Sequence, residues 1–185
     1  MGRDGMPTPV GHTVAGMIVA KGGIHIHKGL LGIVLLFSLL PDFDFLIGFA
    51  VGDPNRYHHH FTHSFLFIVF CALIAALIVS HKSSLKFKNI FVYSCFAGFA
   101  HLGMDLLAVD TSAPYGAPVF WPFSSTYFIA SVQPFADVHR DSNTGTFFIS
   151  LFNTHNLNTV VREIIILVPL WLGSLWIFRR KQIKK

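Results

Sequence analysis

Charge is what this sequence has least of. Asp, Glu, Lys and Arg make up 12% of its 185 residues, roughly half the share of an ordinary soluble domain. Hydrophobic residues reach 52%. That balance excludes an ordinary soluble globular chain and predicts an integral membrane protein. Cysteine is scarce as well. Cys71 and Cys95 both lie in the middle of apolar runs, so they read as reduced core residues and not as a disulfide. The net charge is +5. The basic residues sit at segment ends, as membrane anchors do, which speaks against nucleic acid as a partner. Signal-peptide character is missing: Arg3 and Asp4 precede an apolar stretch broken by His12 and two glycines, and no small-residue cleavage site follows. Internal repeats, heptads and low-complexity tracts are absent. The length suits one compact unit over residues 1–185.

What is present is a set of five apolar segments, at residues 10–20, 29–52, 63–80, 90–109 and 161–178. They predict an all-α polytopic membrane bundle of four to five transmembrane segments. The second segment is broken by Pro41-Asp42-Phe43-Asp44. Proline clashes with the preceding helical turn, and broken backbone at membrane depth is tolerated where it lines a cavity or packs on protein. A long connection at about 110–160 holds Pro114, Pro118, Pro122 and Pro134 among Tyr115, Phe120, Trp121, Phe123 and Tyr127. That mixture predicts an ordered aromatic loop at the headgroup level.

The charges sort by side. Lys21, Lys28, Lys82, Lys86, Lys88 and the C-terminal Arg179, Arg180, Lys181, Lys184 and Lys185 share one side if the segments alternate. The positive-inside rule makes that side cytoplasmic. All nine acids fall on the other side or in the outer halves of segments, and eight of the eleven histidines do too. At about 1.5 Å per helical residue, Asp42, His63, His101, Asp105 and Glu163 lie roughly 17–26 Å from the cytoplasmic ends of their segments. Four segments therefore deliver polar groups to one layer.

The densest part of that layer is residues 57–65, Y-H-H-H-F-T-H-S-F, with four histidines in six residues at the mouth of an apolar run. Imidazoles at a membrane boundary point to a bound metal. Thr62 is the expected N-cap of the third helix, with His63 in its first turn. Spacing alone does not choose among His58, His59 and His60. His101 and Asp105 are four apart and share one helix face. Asp42 and Asp44 can turn into the same site from the broken segment, or one of them can cap a helix. His12, in Gly11-His12-Thr13, joins if its segment runs inward. Glu163 reads either as a site carboxylate or as an acid favoured at a helix start. Asp110, His139 and His155 are loop residues with weaker claims, and Trp171 and Trp176 read as packing or interface anchors.

Six short motifs occur in order: G-H-T-V-A-G (11–16), L-P-D-F-D-F (40–45), H-H-H-F-T-H-S (58–64), H-L-G-M-D-L-L (101–107), P-Y-G-A-P-V-F-W-P-F-S (114–124) and V-R-E-I (161–164). Together they resemble the YdjM-like family of bacterial inner-membrane proteins classed as metal-dependent hydrolases. The family's third motif looks like H-R-G-F-T-H-S. On that alignment His58 and His63 are the matching histidines, and His59-His60 stand where the family has Arg-Gly. The resemblance implies hydrolysis without specifying a substrate. The departure removes an arginine that could clamp an anion and leaves His59 as a substitute ligand.

The expected function is a membrane hydrolase using one or two divalent metals, zinc first, with manganese or iron as alternatives. The expected metal ligands are His12, Asp42, Asp44, His58, His63, His101 and Asp105. The expected catalytic carboxylates are Glu163, Asp110 and Asp44. A site at the outer level of the bacterial inner membrane favours a phosphoester of a lipid or other amphiphile, cleaved by metal-activated water. The competing classes are a divalent-metal transporter or sensor and an inactive membrane module. The apolar inner halves at residues 33–40 and 66–79 argue against a conduction path.

Overall fold

The computed structural model of the chain describes residues 2–4, 6–20 and 27–183. Lys21, Lys184 and Lys185, which enter the charge pattern above, lie outside those residues, as does His25, one of the eleven histidines. The described residues form seven α-helices and one two-stranded sheet.

Helix α1 (Pro9–Val19) begins in an orderly way: Thr8 caps it by accepting from Gly11 N, and Pro9 occupies the first turn, where no N–H is needed. Helix α2 (Lys28–Phe37) runs into the proline break. A 3₁₀ turn at Pro41–Phe43 leads into α3 (Asp44–Ala50), and the two halves are bent by 61°. The break predicted from Pro41 is therefore present. A second 3₁₀ turn, Phe61–His63, precedes α4 (Phe65–Lys82). The cap of α4 is Ser64, whose hydroxyl accepts from Phe67 N, and not Thr62. Thr62 is engaged elsewhere, as shown below. Helix α5 (Phe87–Leu106) follows, then strand β2 (Val138–Arg140), the short α6 (Phe147–Ser150) and α7 (Thr154–Ile183). Strand β1 (Gly2–Asp4) pairs antiparallel with β2, Gly2 opposite Arg140.

Helix α5 is the centre of the bundle. It packs against α4, α2 and α1, and α1 in turn packs against α7 and α2. Small residues let α4 and α5 approach: Ala72 and Ala76 of α4 and Ser94, Ala97 and Gly98 of α5 are all buried. A Cβ on Gly98 would lie 2.5 Å from Ile68 Cγ2, so any side chain there would force Ile68 to shift. Val14 and Ala15 of α1, Met104 of α5 and Leu167 of α7 form one apolar cluster with Phe135 of the loop.

Two helical stretches, Phe65–Lys82 and Thr154–Ile177, are long and apolar enough to cross a membrane, and the bent pair Lys28–Phe37 with Pro41–Ala50 makes a third if it is one span. The expected count of four to five is thus not reached on length and composition. Helix α1 has 11 residues and is about 16 Å long, too short for a hydrocarbon core of about 30 Å. Helix α5 has 20 residues, but Lys88, Asn89, His101 and Asp105 lower its apolar character. The lipid-compatible faces are plain: Phe70, Leu77 and Ile78 on α4 and Ile165, Leu170 and Leu172 on α7 are exposed.

The connection after α5 is ordered. Ala130 N donates to Leu106 O and Val109 N to Phe135 O, which folds the loop back on the end of α5. Phe65 N donates to Val119 O, which seats the loop on the start of α4. Tyr115, Phe120, Trp121 and Phe123 are exposed on it, as the aromatic composition predicts.

Candidate metal centre

His101 and Asp105 leave α5 on one face and are both buried. His101 Nδ1 donates to the carbonyl of Ser38 at 2.9 Å, at the end of α2. That bond fixes the ring so that Nε2 points inward with its lone pair free. His63 is oriented in a similar way. Thr62 Oγ1 has one proton and gives it to Asp44 Oδ2 at 2.9 Å. Its oxygen therefore accepts from His63 Nδ1 at 3.0 Å, and His63 Nε2 also faces inward. This is what draws Thr62 away from the helix cap.

The inward atoms converge. His63 Nε2 and His101 Nε2 lie 3.4 Å apart, and each is 3.6 Å from Asp42 Oδ1. Asp105 Oδ2 is 3.1 Å from His101 Nε2 and 3.7 Å from His63 Nε2. Donors placed tetrahedrally about 2.0–2.1 Å from zinc lie about 3.3–3.4 Å from one another. The observed triangle, with edges of 3.4, 3.6 and 3.6 Å, is slightly wider than those dimensions. The other oxygen of Asp105, Oδ1, is 3.3 Å from His12 Nε2. His12, on α1, is fully buried and stacks on His101 with ring centroids 3.9 Å apart. Asp105 thus faces two imidazole groups with its two oxygens, as a bridging carboxylate does.

A further histidine group adjoins the first. His58, His59 and His63 are all buried, and one ring nitrogen from each lies within 4.8 Å of the others. Asp44 stands behind them, accepting from His58 Nδ1 at 3.1 Å and from Thr62. His59 occupies the left-handed region, φ 58°, which turns its ring inward beside His58. A chain of imidazole contacts runs His59, His58, His63, His101, His12.

These residues fit a metal by a second criterion. His12 Nδ1 and Nε2, both oxygens of Asp42 and of Asp105, and Nε2 of His58 and of His59 are buried without a hydrogen-bond partner among the described residues. Each such group costs about 1–3 kcal/mol. Eight at one place are intelligible as a set of ligands. Some lie within ion-pair distance of one another, but not in hydrogen-bond alignment. Burial opposes charge on His63, yet the carboxylates of Asp42 and Asp44 beside it outweigh that and hold its pKa up to about 10. His59 lies the other way: burial and the neighbouring His58 push it well below the ordinary histidine range.

The expected ligands His12, Asp42, His58, His63, His101 and Asp105 are brought together. Asp44 is close, but its oxygens are taken up by His58 and Thr62 and it belongs to no ligand-distance group, so it stands behind the cluster and holds those two side chains. Glu163 is not at a helix start, because α7 begins nine residues earlier at Thr154. Its carboxylate accepts from Thr8 N at 2.6 Å and from Thr8 Oγ1, pinning α7 to the start of α1. Asp110 accepts from Ser112 N and Gly116 N and lines a cavity of about 170 Å³ with Asn55, His58, His59 and Tyr127. Three features escape sequence reading: the Ser38 carbonyl, the Thr8–Glu163 link, and Arg140, which is buried and donates from Nε to Asn55 Oδ1 at 2.8 Å. None has a local signal, since each depends on segments far apart in the chain.

No curated protein and no solved structure matches the chain. A family model described as YdjM inner membrane protein matches residues 6–182. The match spans α1 to α7 and every residue of the centre, in agreement with the motif resemblance. The chain belongs to the YdjM inner membrane protein family.

Proposed function

We propose that this protein is a membrane-embedded, metal-dependent hydrolase acting on a phosphoester of a lipid or other amphiphile. The observation that carries the reading is the triangle of His63 Nε2, His101 Nε2 and Asp42 Oδ1, closed by a two-faced Asp105 and surrounded by orphaned buried donors. His63, His101, Asp42 and Asp105 hold one divalent cation, zinc by donor type, with manganese or iron as alternatives. His58 and His59, grouped with His63, supply donors for a second, while His12 adds a donor beside His101 and Asp105. When bound, such cations supply Lewis acidity and a hydroxide source near neutral pH.

The chain's own residues do the rest. Ser38, Thr62 and Asp44 hold the imidazoles in register. Asp110, kept in place by two backbone N–H groups on the cavity wall, is the carboxylate positioned to accept a proton from water. Glu163, expected in that role, is instead the tie between α1 and α7. Tyr127 lines the same cavity, and the exposed Phe120, Trp121 and Phe123 lie just before it in the loop. That placement favours a substrate with an apolar tail reaching the site from the bilayer.

The bundle is read as four or five membrane segments, with α5 crossing beside the three apolar spans and α1 entering partway. Lys82, Lys86 and Lys88 lie at the α4–α5 connection, at the opposite ends of those helices from His63 and His101. The positive-inside rule then places the metal centre on the periplasmic side of the inner membrane and the C-terminus in the cytoplasm.

The test is metal analysis of detergent-purified protein, wild type against His101→Ala and Asp105→Ala, followed by assay of phosphate or headgroup release from a lipid panel. Stoichiometric metal lost in both variants, with release only by the wild type, is expected. Metal retention without hydrolysis of any lipid would favour the carrier or sensor reading. A wild type unable to take up metal would remove both.

A further inference from the structure

Asp137, His139 and His155 make a compact group apart from the centre described above. Asp137 is buried just before β2, His139 lies within β2, and His155 is in the first turn of α7. The sequence shows His139 and His155 sixteen apart, in what reads as one loop. The fold stacks their rings with centroids 3.7 Å apart and 6° between planes. Both Nε2 atoms face one carboxylate: His155 Nε2 is 3.0 Å from Asp137 Oδ1, and His139 Nε2 is 3.4 Å from Asp137 Oδ2. One donor atom from each residue lies within 4.8 Å of the others.

We infer that Asp137, His139 and His155 form a separate divalent-cation site, suited to zinc, that clasps strand β2 to the start of α7. Two imidazoles and a carboxylate are a donor set that zinc accepts, and three protein ligands leave a position for water. The donor spacings, 3.0 Å to Asp137 Oδ1 and 3.4 Å to Asp137 Oδ2, lie close to the roughly 3.3–3.4 Å edge of a tetrahedral zinc site. Parallel rings do not aim both lone pairs at one point, so binding opens the stack. The side chains of His139 and His155 are 21% and 38% exposed, which leaves them room to swing. The backbone at Asp137 and His139 is held in place. Asn156 Oδ1 accepts from His139 N at 2.7 Å, Asn156 Nδ2 donates to His139 O at 2.8 Å, and Thr159 Oγ1 donates to Asp137 O. A preformed frame in which two rings turn, with His155 Nε2 leaving the Asp137 carbonyl it now meets at 3.0 Å, is what a cation clasp needs. Arg140, the next residue of β2, holds Asn55 on the cavity wall, so the clasp braces one side of the metal-centre cavity.

The proposal stands whether or not the main centre is a hydrolase. The full chain, purified in detergent and stripped with chelator, is reloaded with zinc, and bound zinc per chain is counted after gel filtration. His139→Gln with His155→Gln in one chain, and Asp137→Asn in another, should each hold one zinc fewer than wild type. Asp137→Asn keeps the backbone carbonyl that receives Thr159, which protects the fold. An equal zinc count in wild type and both variants overturns the proposal. Should the variants fail to fold, the wild type alone decides. Diethylpyrocarbonate labelling of His139 and His155, mapped by mass spectrometry, should fall to near background on zinc addition, and unchanged labelling overturns the site.

Discussion

Replacing Asp44 by asparagine separates a ligand from the residue that orients ligands. Asp44 reads as a metal ligand in the sequence, whereas the structure spends its two oxygens on His58 Nδ1 at 3.1 Å and Thr62 Oγ1 at 2.9 Å. The Asp44→Asn change would keep the shape and one acceptor but remove the charge. Loss of an orienting partner of this kind lowers metal affinity about 10–100-fold, or roughly 1.4–2.7 kcal/mol. Removing a true ligand costs more. Structural zinc sites bind with roughly 10–16 kcal/mol over four ligands, so one ligand stands for roughly 2.5–4 kcal/mol, on the order of 10²–10³-fold. The assay is competitive zinc titration against a chromophoric chelator, with His101→Ala as the ligand-loss reference and thermal melting as the check on folding. Asp44→Asn should fall between wild type and His101→Ala, about tenfold from each. An affinity as low as His101→Ala would show that Asp44 binds metal itself. An affinity equal to wild type, in a folded protein, would refute the whole arrangement of Thr62, Asp44 and His63.

Metal affinity should rise with pH, because His63 in the metal-free centre holds its proton up to about 10 and must release it to bind. Weakly buffered protein should therefore acidify on zinc addition. The same shift sets the stability of the metal-free form: the folded pKa lies above the ordinary value of about 6.5, so the His63 contribution is complete below about 6.5 and is lost as pH climbs through about 10. Thermal melts of chelator-stripped protein between pH 7 and 10 should move down, and a melting temperature that rises over that range would contradict the His63–Asp42–Asp44 contacts. Gly98→Ala forces a methyl to 2.5 Å from Ile68 and should destabilise by about 1–3 kcal/mol with metal content retained, as read by melting and metal analysis. Glu163→Ala strands the N–H and hydroxyl of Thr8 and should cost about 1–3 kcal/mol of stability, again with metal content unchanged. Loss of metal in that variant would return Glu163 to the centre.

The sequence by itself determined the medium and the local geometry of its polar residues. Few charges and long apolar runs specify a membrane bundle, because partition into lipid depends on composition along each segment. The i, i+4 spacing of His101 and Asp105 specifies one shared face, because helix geometry is local. Pro41 announces the break between α2 and α3 for the same reason. The tertiary structure alone decided which polar groups meet and in what role. Asp42 and Asp44 are two residues apart and equal in composition, yet the 3₁₀ turn sends one oxygen of Asp42 to His63 and His101 and leaves Asp44 behind Thr62. Glu163 looks like a site acid until α1 comes to lie against α7 and Thr8 takes its carboxylate. The His139–His155 stack exists only because β2 is laid beside the first turn of α7. Such roles follow from distances between segments far apart in the chain. Those distances are set by the close packing of α5 against its neighbours, and no local pattern encodes them.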